Sequence, residues 1–340
     1  EAAMSFFSDR TILVTGACGT VGRELVRQLL DCQPREIRAI DTNESEIFFL
    51  EQELQTANRG RPHPVRTLCQ IGDIRDRDKL NRMFSGVDIV LHTAALKHVI
   101  LCERAPFDAV QTNIIGVRNI IEAALDNDVE RVIFTSSDKA VNPTNVMGTS
   151  KLMGERLFTA ANSLKMQRRT IFSSTRFGNV LGSRGSVIPI FARQIAAGGP
   201  VTLTDSRMTR FIMTLEESCR LVLAAAEKAR GGEVFVTKMP VIQIADLARV
   251  MIDELAEQHG FSAARMPVTE IGAKPGETVL LRAEKPSDIP PESLFGRKDD
   301  SAGAVRLNVK SVLDAASLGA FSLRPSQGPV RAVFVPLSRL

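Results

Sequence analysis

Tyrosine and tryptophan are absent from this chain, and all 17 of its aromatic residues are phenylalanine, so no mechanism can rest on a tyrosine base. Histidine is scarce. His63, His92, His98 and His259 show no ligand spacing, and His92 and His98, six apart, share no helical face, so no metal site is expected. Five cysteines (Cys18, Cys32, Cys69, Cys102, Cys219) are odd in number and widely spaced, with no C-x-x-C. They read as reduced thiols of a cytoplasmic protein and not as a disulfide scaffold. No apolar run is long enough to cross a bilayer. Glu1–Ala3, ahead of Met4, read as a cloning remnant with neither a basic n-region nor an apolar h-region, so a soluble, unexported protein without a membrane partner is expected. The net charge is +4, but its Lys and Arg residues are scattered and never clustered with aromatics, which argues against a nucleic-acid partner.

What is present is ordinary globular material, 340 residues with 44% hydrophobic and 24% charged, enough for a large domain with a smaller satellite. Short apolar runs at Thr11–Val14, Ile37–Ile40, Thr67–Ile71, Ile89–Leu91, Arg131–Thr135 and Thr170–Phe177 alternate with helical segments such as Val21–Leu30, Ser45–Gln55 and Phe107–Leu125. Strands apolar on consecutive positions are buried on both faces. The expected fold is therefore α/β, a doubly wound parallel sheet of the Rossmann type, with a smaller C-terminal substrate-binding lobe. Gly- and Pro-bearing sequence after Asn179 marks where the chain leaves the sheet. The expected division is 4–180 for the dinucleotide-binding domain, with 212–238 returning to it, and 181–211 with 239–330 for the lobe. Helical periodicity recurs at Leu215–Arg230 and Ile244–His259, and Pro286–Asp300 reads as an exposed loop.

Between the first strand and first helix stands Gly16-Ala17-Cys18-Gly19-Thr20-Val21-Gly22, a G-x-x-G-x-x-G. Gly16 permits the tight turn, Gly19 lets backbone approach a pyrophosphate at the helix N-terminus, and Gly22 lets helix and strand pack closely. Cys18, Thr20 and Val21 of the same loop are further cofactor contacts. Asp41, ending the second strand, is placed to accept from the adenosine ribose hydroxyls and would repel a 2′-phosphate. That favours NAD, although Arg38 or Arg66 could turn the preference to NADP. Asp73 and Ile74, after the third strand, are positioned to meet the adenine, or else form a plain turn.

The fifth strand ends in Ser136-Ser137-Asp138-Lys139, and Met147-Gly148-Thr149-Ser150-Lys151 enters a helix shortly after. Ligands of open α/β sheets sit at such carboxyl ends, so Ser137, Asp138, Lys139 and Lys151 can face nicotinamide and substrate. Here the sequence resembles the extended short-chain dehydrogenases, more narrowly the UDP-N-acetylglucosamine 4,6-dehydratases of polysaccharide biosynthesis. The likeness runs from Thr11 to about Glu277, through the strings His92–Val99, Ser137–Gly148, Arg176–Ser183 and Lys274–Glu277. In that family Met147 often stands as the Tyr of Tyr-x-x-x-Lys, and this chain resembles a subgroup with Met-x-x-x-Lys. Met147 exchanges no proton, which leaves the sugar 4-hydroxyl to Lys151, Asp138 or water, with ordinary core packing the lesser reading of Met147.

The resemblance implies an internal redox cycle on a UDP-sugar. Hydride leaves C4, the ketone acidifies C5, Lys139 removes the C5 proton, Asp138 protonates the departing C6 hydroxyl, and hydride returns to C6, with or without inversion at C5. Ser137 would hydrogen-bond the C4 oxygen. It also implies cofactor contacts at Ala94, Ala95, Lys97 and Lys151, and substrate contacts at Lys97, His98, Asn179, Arg210, Lys274 and Glu277, with the cations of this set meeting the diphosphate. A homo-oligomer, dimer or larger, is expected from the family. The competing readings are an epimerase or oxidoreductase on the same scaffold, against which the Asp138–Lys139 pair argues, and a non-catalytic cofactor-binding protein.

Overall fold

The computed structural model describes residues 2–183, 185–271, 278–284 and 302–308. Its elements run α1 (Ala2–Phe7), β1 (Thr11–Thr15), α2 (Thr20–Asp31), β2 (Glu36–Asp41), α3 (Glu44–Asn58), β3 (Arg66–Ile71), α4 (Arg77–Phe84) and β4 (Ile89–His92). There follow α5 (Val99–Arg104), α6 (Pro106–Val110), a π-helical turn at Gln111–Ile115, α7 (Gly116–Asp126), β5 (Arg131–Ser137), α8 (Val146–Leu164), β6 (Ile171–Phe177) and β7 (Asn179–Val180). The remainder is α9 (Val187–Ala196), β8 (Val201–Leu203), β9 (Thr209–Met213), α10 (Leu215–Lys228), β10 (Val234–Val236), β11 (Val241–Gln243), α11 (Ile244–Leu255), β12 (Val268–Glu270), β13 (Thr278–Glu284) and β14 (Ala302–Asn308).

Seven strands form one parallel sheet in the order β10-β6-β5-β4-β1-β2-β3. The order reverses between β1 and β4, which creates the crevice where ligands of such sheets bind. Residues alternate between two cores because the sheet is covered on both faces. Ile12 and Val14 join α1, α2, α3 and α10 on one face, while Leu13, Val90 and Phe134 join α4, α7 and α8 on the other. A third apolar cluster gathers α9, α11 and β8 around Phe191, Ile195, Val201 and Ala248, with the small sheets β11-β9-β7 and β12-β8 beside it. The doubly wound sheet and smaller lobe anticipated from the periodicity are both present. The helical segment expected over Phe107–Leu125 is present, and within it Gln111–Ile115 coils as a π-turn. A π-turn widens the coil by one residue without breaking the apolar pattern, and it puts Asn113 inside the fold, 1% exposed. Among the described residues no helix is long and apolar enough to cross a membrane.

Candidate functional site

The carboxyl ends of β1, β2, β4, β5 and β6 converge on the crevice. After β1 the chain turns at Gly16, whose φ of +65° favours glycine, and a Cβ there would lie 2.7 Å from Ala94 backbone. A Cβ at Gly22 would run into the Gly16 carbonyl, so the loop closes only with glycine at both positions. Gly19 is the N-cap of α2 and supplies no side-chain cap, and a helix N-terminus of this kind suits an anion. Asp41 fixes this loop, with Oδ2 accepting from the Cys18 N–H at 3.0 Å and Oδ1 from Asn43 N–H at 3.1 Å. Burial, reinforced by Asp41, pushes the Cys18 thiol up to about 12, so it stays protonated. Thr20 and Val21 open α2, and both are partly exposed. The loop and helix end thus fit a dinucleotide pyrophosphate.

Asp73 is engaged by its neighbour: the Arg75 guanidinium bonds both carboxylate oxygens at 2.6–3.0 Å and holds the carboxyl below its ordinary range. Ile74 is 4% exposed and packs against Gly116, so its side chain belongs to the core. Thr93, Ala94 and Ala95 line the crevice from β4, where Thr93 Oγ1 donates to Thr15 O at 2.7 Å and Ala94 N–H to Thr15 Oγ1 at 3.3 Å. Lys97 and His98 are exposed, and His98 lies beside Gly185 of the loop after β7.

At the end of β5, Ser137, Asp138, Lys139 and Asn179 form one hydrogen-bonded chain. Ser137 Oγ donates to Asp138 Oδ1 at 3.0 Å, Lys139 Nζ bonds the same oxygen at 3.0 Å, and Lys139 Nζ reaches Asn179 Oδ1 at 3.4 Å. Asn179 is itself held by its amide to Phe211 O at 3.2 Å. The Asp138 and Lys139 side chains are only 18% and 32% exposed, so this is no freely solvated surface pair. Helix α8 docks against the same turn, because Gly148 has no Cβ to collide with the Lys139 carbonyl. Asn145 caps that helix by accepting from Gly148 N–H at 2.8 Å.

Lys151, on α8, is buried among β5 atoms. Its Nζ donates to Thr135 O at 2.9 Å and lies 4.8 Å from the Phe134 ring centroid, and burial brings the amine down to about 8. Met147, one turn earlier, is 3% exposed and packs with Cys102 and Ala109, a position that supplies shape and no proton. Arg210 is exposed on β9, and Lys274 and Glu277 lie outside the described residues.

Three residues at the site escaped the sequence reading. His92, wholly buried at the end of β4, bonds Thr15 Oγ1 through Nδ1 at 2.6 Å, and burial lowers its pKa to about 3. Asn113, in the π-turn, holds both the N–H and C=O of Leu96 at 2.9 Å and donates to Ser150 Oγ at 2.9 Å, tying the β4 loop to α8. Glu155, one turn after Lys151, is held by Arg176. A polar residue in an otherwise apolar helical face was the only signal for Asn113.

A glycine turn with an uncapped helix behind it, a carboxylate at the end of β2 and a Ser-Asp-Lys chain at the end of β5 define a Rossmann protein of the extended short-chain dehydrogenase/reductase class. The chain belongs to the polysaccharide biosynthesis protein family, whose model matches residues 12–285. It is 51% identical over 273 residues to an uncharacterized membrane protein of Methanocaldococcus jannaschii, covering 80% of each chain. It is 38% identical to the UDP-N-acetylglucosamine 4,6-dehydratase (inverting) of Campylobacter jejuni, covering 74% of each. Relatives named UDP-glucose 4-epimerase, from Rickettsia, are similar at 39% identity. The chain spans 47% of the length of the probable polysaccharide biosynthesis protein EpsC of Bacillus subtilis. Among solved structures it resembles Pen from Bacillus thuringiensis, with TM-score 0.72 and 42% identity over 82% of this chain and 84% of that one.

Proposed function

We propose that the protein is a nucleotide-sugar 4,6-dehydratase acting on UDP-N-acetylglucosamine, with NAD held across the Gly16–Gly22 loop and Asp41. The observation that carries this reading is the Ser137–Asp138–Lys139–Asn179 chain at the end of β5. Bound NAD would supply a hydride acceptor for C4 and return that hydride to C6. The protein's residues handle protons. Lys139 takes the C5 proton and Asp138 gives one to the leaving C6 hydroxyl. Those roles need a neutral amine beside a neutral carboxyl, which is the ion pair with one proton moved across 3.0 Å. Ser137 orients the C4 oxygen, and Lys151, whose amine titrates near 8, takes up the proton that a Tyr would otherwise handle. Lys97, His98 and Arg210, with Lys274 and Glu277, are the proposed contacts to the sugar diphosphate. NAD is favoured over NADP because Asp41 would repel a 2′-phosphate and Arg38, the more buried of the two guanidinium candidates, is tied down. Arg38 bonds the Met83 and Ser85 carbonyls at 2.8 Å and Glu36 at 3.2 Å, and Arg66 approaches Glu36 at 3.5 Å.

The identity to UDP-glucose 4-epimerases supports a second reading, epimerisation at C4 on the same scaffold. One assay separates the two. With UDP-N-acetylglucosamine and catalytic NAD, mass spectrometry should show loss of one water without net redox change, and Lys139→Ala should abolish it while retaining NAD binding. An unchanged mass with C4 inverted by NMR selects the epimerase instead, and full dehydration by Lys139→Ala removes the base assignment.

A further inference from the structure

Glu155 is the most confined charge near the site that the proposed chemistry does not use. It is 3% exposed on α8, four residues after Lys151, a spacing that puts both side chains on one helical face. A buried carboxylate in that position would draw the Lys151 ammonium into a pair. Both of its oxygens are instead occupied, Oε1 by Arg176 Nε at 2.9 Å and Oε2 by Arg176 Nη2 at 2.7 Å. This two-bond fork is the strongest arrangement a carboxylate forms with a side chain. Arg176 stands on β6 opposite Ser136 of β5, three residues before Asn179. Lys151 is left to donate to Thr135 O.

We infer that Arg176 is a positioning residue: by forking onto Glu155 it competes with Lys151 for that carboxylate and leaves the Lys151 amine to the active site. The inference rests on the reading of Lys151 as an active-site group. The titratable groups that act on Lys151 from the packed elements are Glu155 on its own helix, Cys102 of α5 and His92 of β4. His92 is neutral, Cys102 is a thiol raised above its ordinary range by burial, and Glu155 is the one full charge. Burial outweighs the pull of Glu155 on the amine while Arg176 bonds both carboxylate oxygens. Without the guanidinium, an opposite charge one helical turn away raises an amine, by about 1–3 pH units where the two come within about 4–6 Å.

The test uses Arg176→Met and the double variant Arg176→Met/Glu155→Gln, each with a readout independent of turnover. Lys151 sits below its unfolded value of 10.5, so the folded chain holds fewer protons, and stability is lost as pH falls from 10.5 through about 8. The thermal midpoint of the wild type, relative to Arg176→Met, should therefore rise with pH across that window, and the double variant should run parallel to the wild type. A wild-type minus Arg176→Met difference that stays flat with pH overturns the inference, since a merely structural pair would lower the midpoint uniformly. In turnover, the acidic limb of kcat/KM should move up by about one unit or more in Arg176→Met and return in the double variant. If the wild type dehydrates no UDP-N-acetylglucosamine, the functional reading fails and the thermal readout still decides this one. Should Arg176→Met not fold, Glu155→Gln alone extends the pH dependence to lower pH than in the wild type, and an unaltered dependence overturns the inference.

Discussion

An imidazole without water around it must stay neutral, and His92 shows what that costs a fold in acid. Its Nδ1 has a partner in Thr15, its ring stacks on Phe134 at 5.6 Å, and Nε2 has no partner among the described residues. Burial depresses its pKa from 6.5 to about 3, so between those values the unfolded chain binds a proton that the folded chain refuses. Stability is intact above 6.5 and drains as pH falls toward 3. Two pH units within that window correspond to about 2–3 kcal/mol. His92→Gln removes the titrating group while keeping an acceptor toward Thr15. Urea unfolding at pH 7 and pH 4.5 should show the wild type losing roughly that amount more than the variant. Equal losses would mean that the ring is protonated in place and that the burial argument is wrong.

At the scale of elements, the first six strands could be read from the sequence because most are apolar on consecutive positions, and observed boundaries such as Thr11–Thr15 and Ile171–Phe177 differ from the expected ones by a residue or so, whereas the short strands from β7 onward were not read. Short helices could not. Helix α4, Arg77–Phe84, buries only Leu80, Met83 and Phe84 and otherwise reads as a charged loop, and α5 has six residues. The strings at the strand ends were legible, whereas the Glu155–Arg176 and Asn113–Ser150 pairs join residues 21 and 37 apart that only the topology brings together. Helix α8 carries the most consequence, because its first turn is fitted to the Asp138–Ala140 turn through Gly148. Helix propensity alone would make Gly148→Ala stabilising by about 1 kcal/mol. The new Cβ would instead collide with the Lys139 carbonyl and push the Ser-Asp-Lys chain away from Lys151. A displacement near 1 Å costs on the order of 10²-fold in rate, so kcat for dehydration should fall by that factor while NAD affinity, set by the glycine loop, holds. A variant of undiminished kcat would show that the close approach is incidental.

Across the whole molecule, chemistry and cohesion sit at opposite ends of the sheet. The proposed site gathers at the carboxyl ends of the strands, and a separate polar knot ties the amino ends. Arg131, first residue of β5, reaches the carbonyls closing α10, with Nη1 at 3.0 Å from Ala226 O, 3.2 Å from Glu227 O and 2.8 Å from Ala229 O. Its guanidinium also lies 5.0 Å from the Phe6 ring, which Arg10 approaches at 4.5 Å, and Arg10 pairs with Glu130. Phe7 beside it is fully buried, so this knot fastens α1 and α10 to the sheet. A cation satisfying the last carbonyls of a helix also opposes its dipole. Charge-assisted bonds of this kind contribute about 1.5–3 kcal/mol, and Arg131→Ala should lower stability by roughly that amount. Six residue steps of extended chain separate Arg131 from Ser137, about 20 Å at strand rise, so the loss should stay local. Calorimetry and NAD titration on the same sample test the separation: a lowered unfolding midpoint with an NAD Kd unchanged within about twofold is expected. A Kd that weakens in step with stability would mean that the two ends of the sheet are coupled, and that the crevice depends on cohesion far from it.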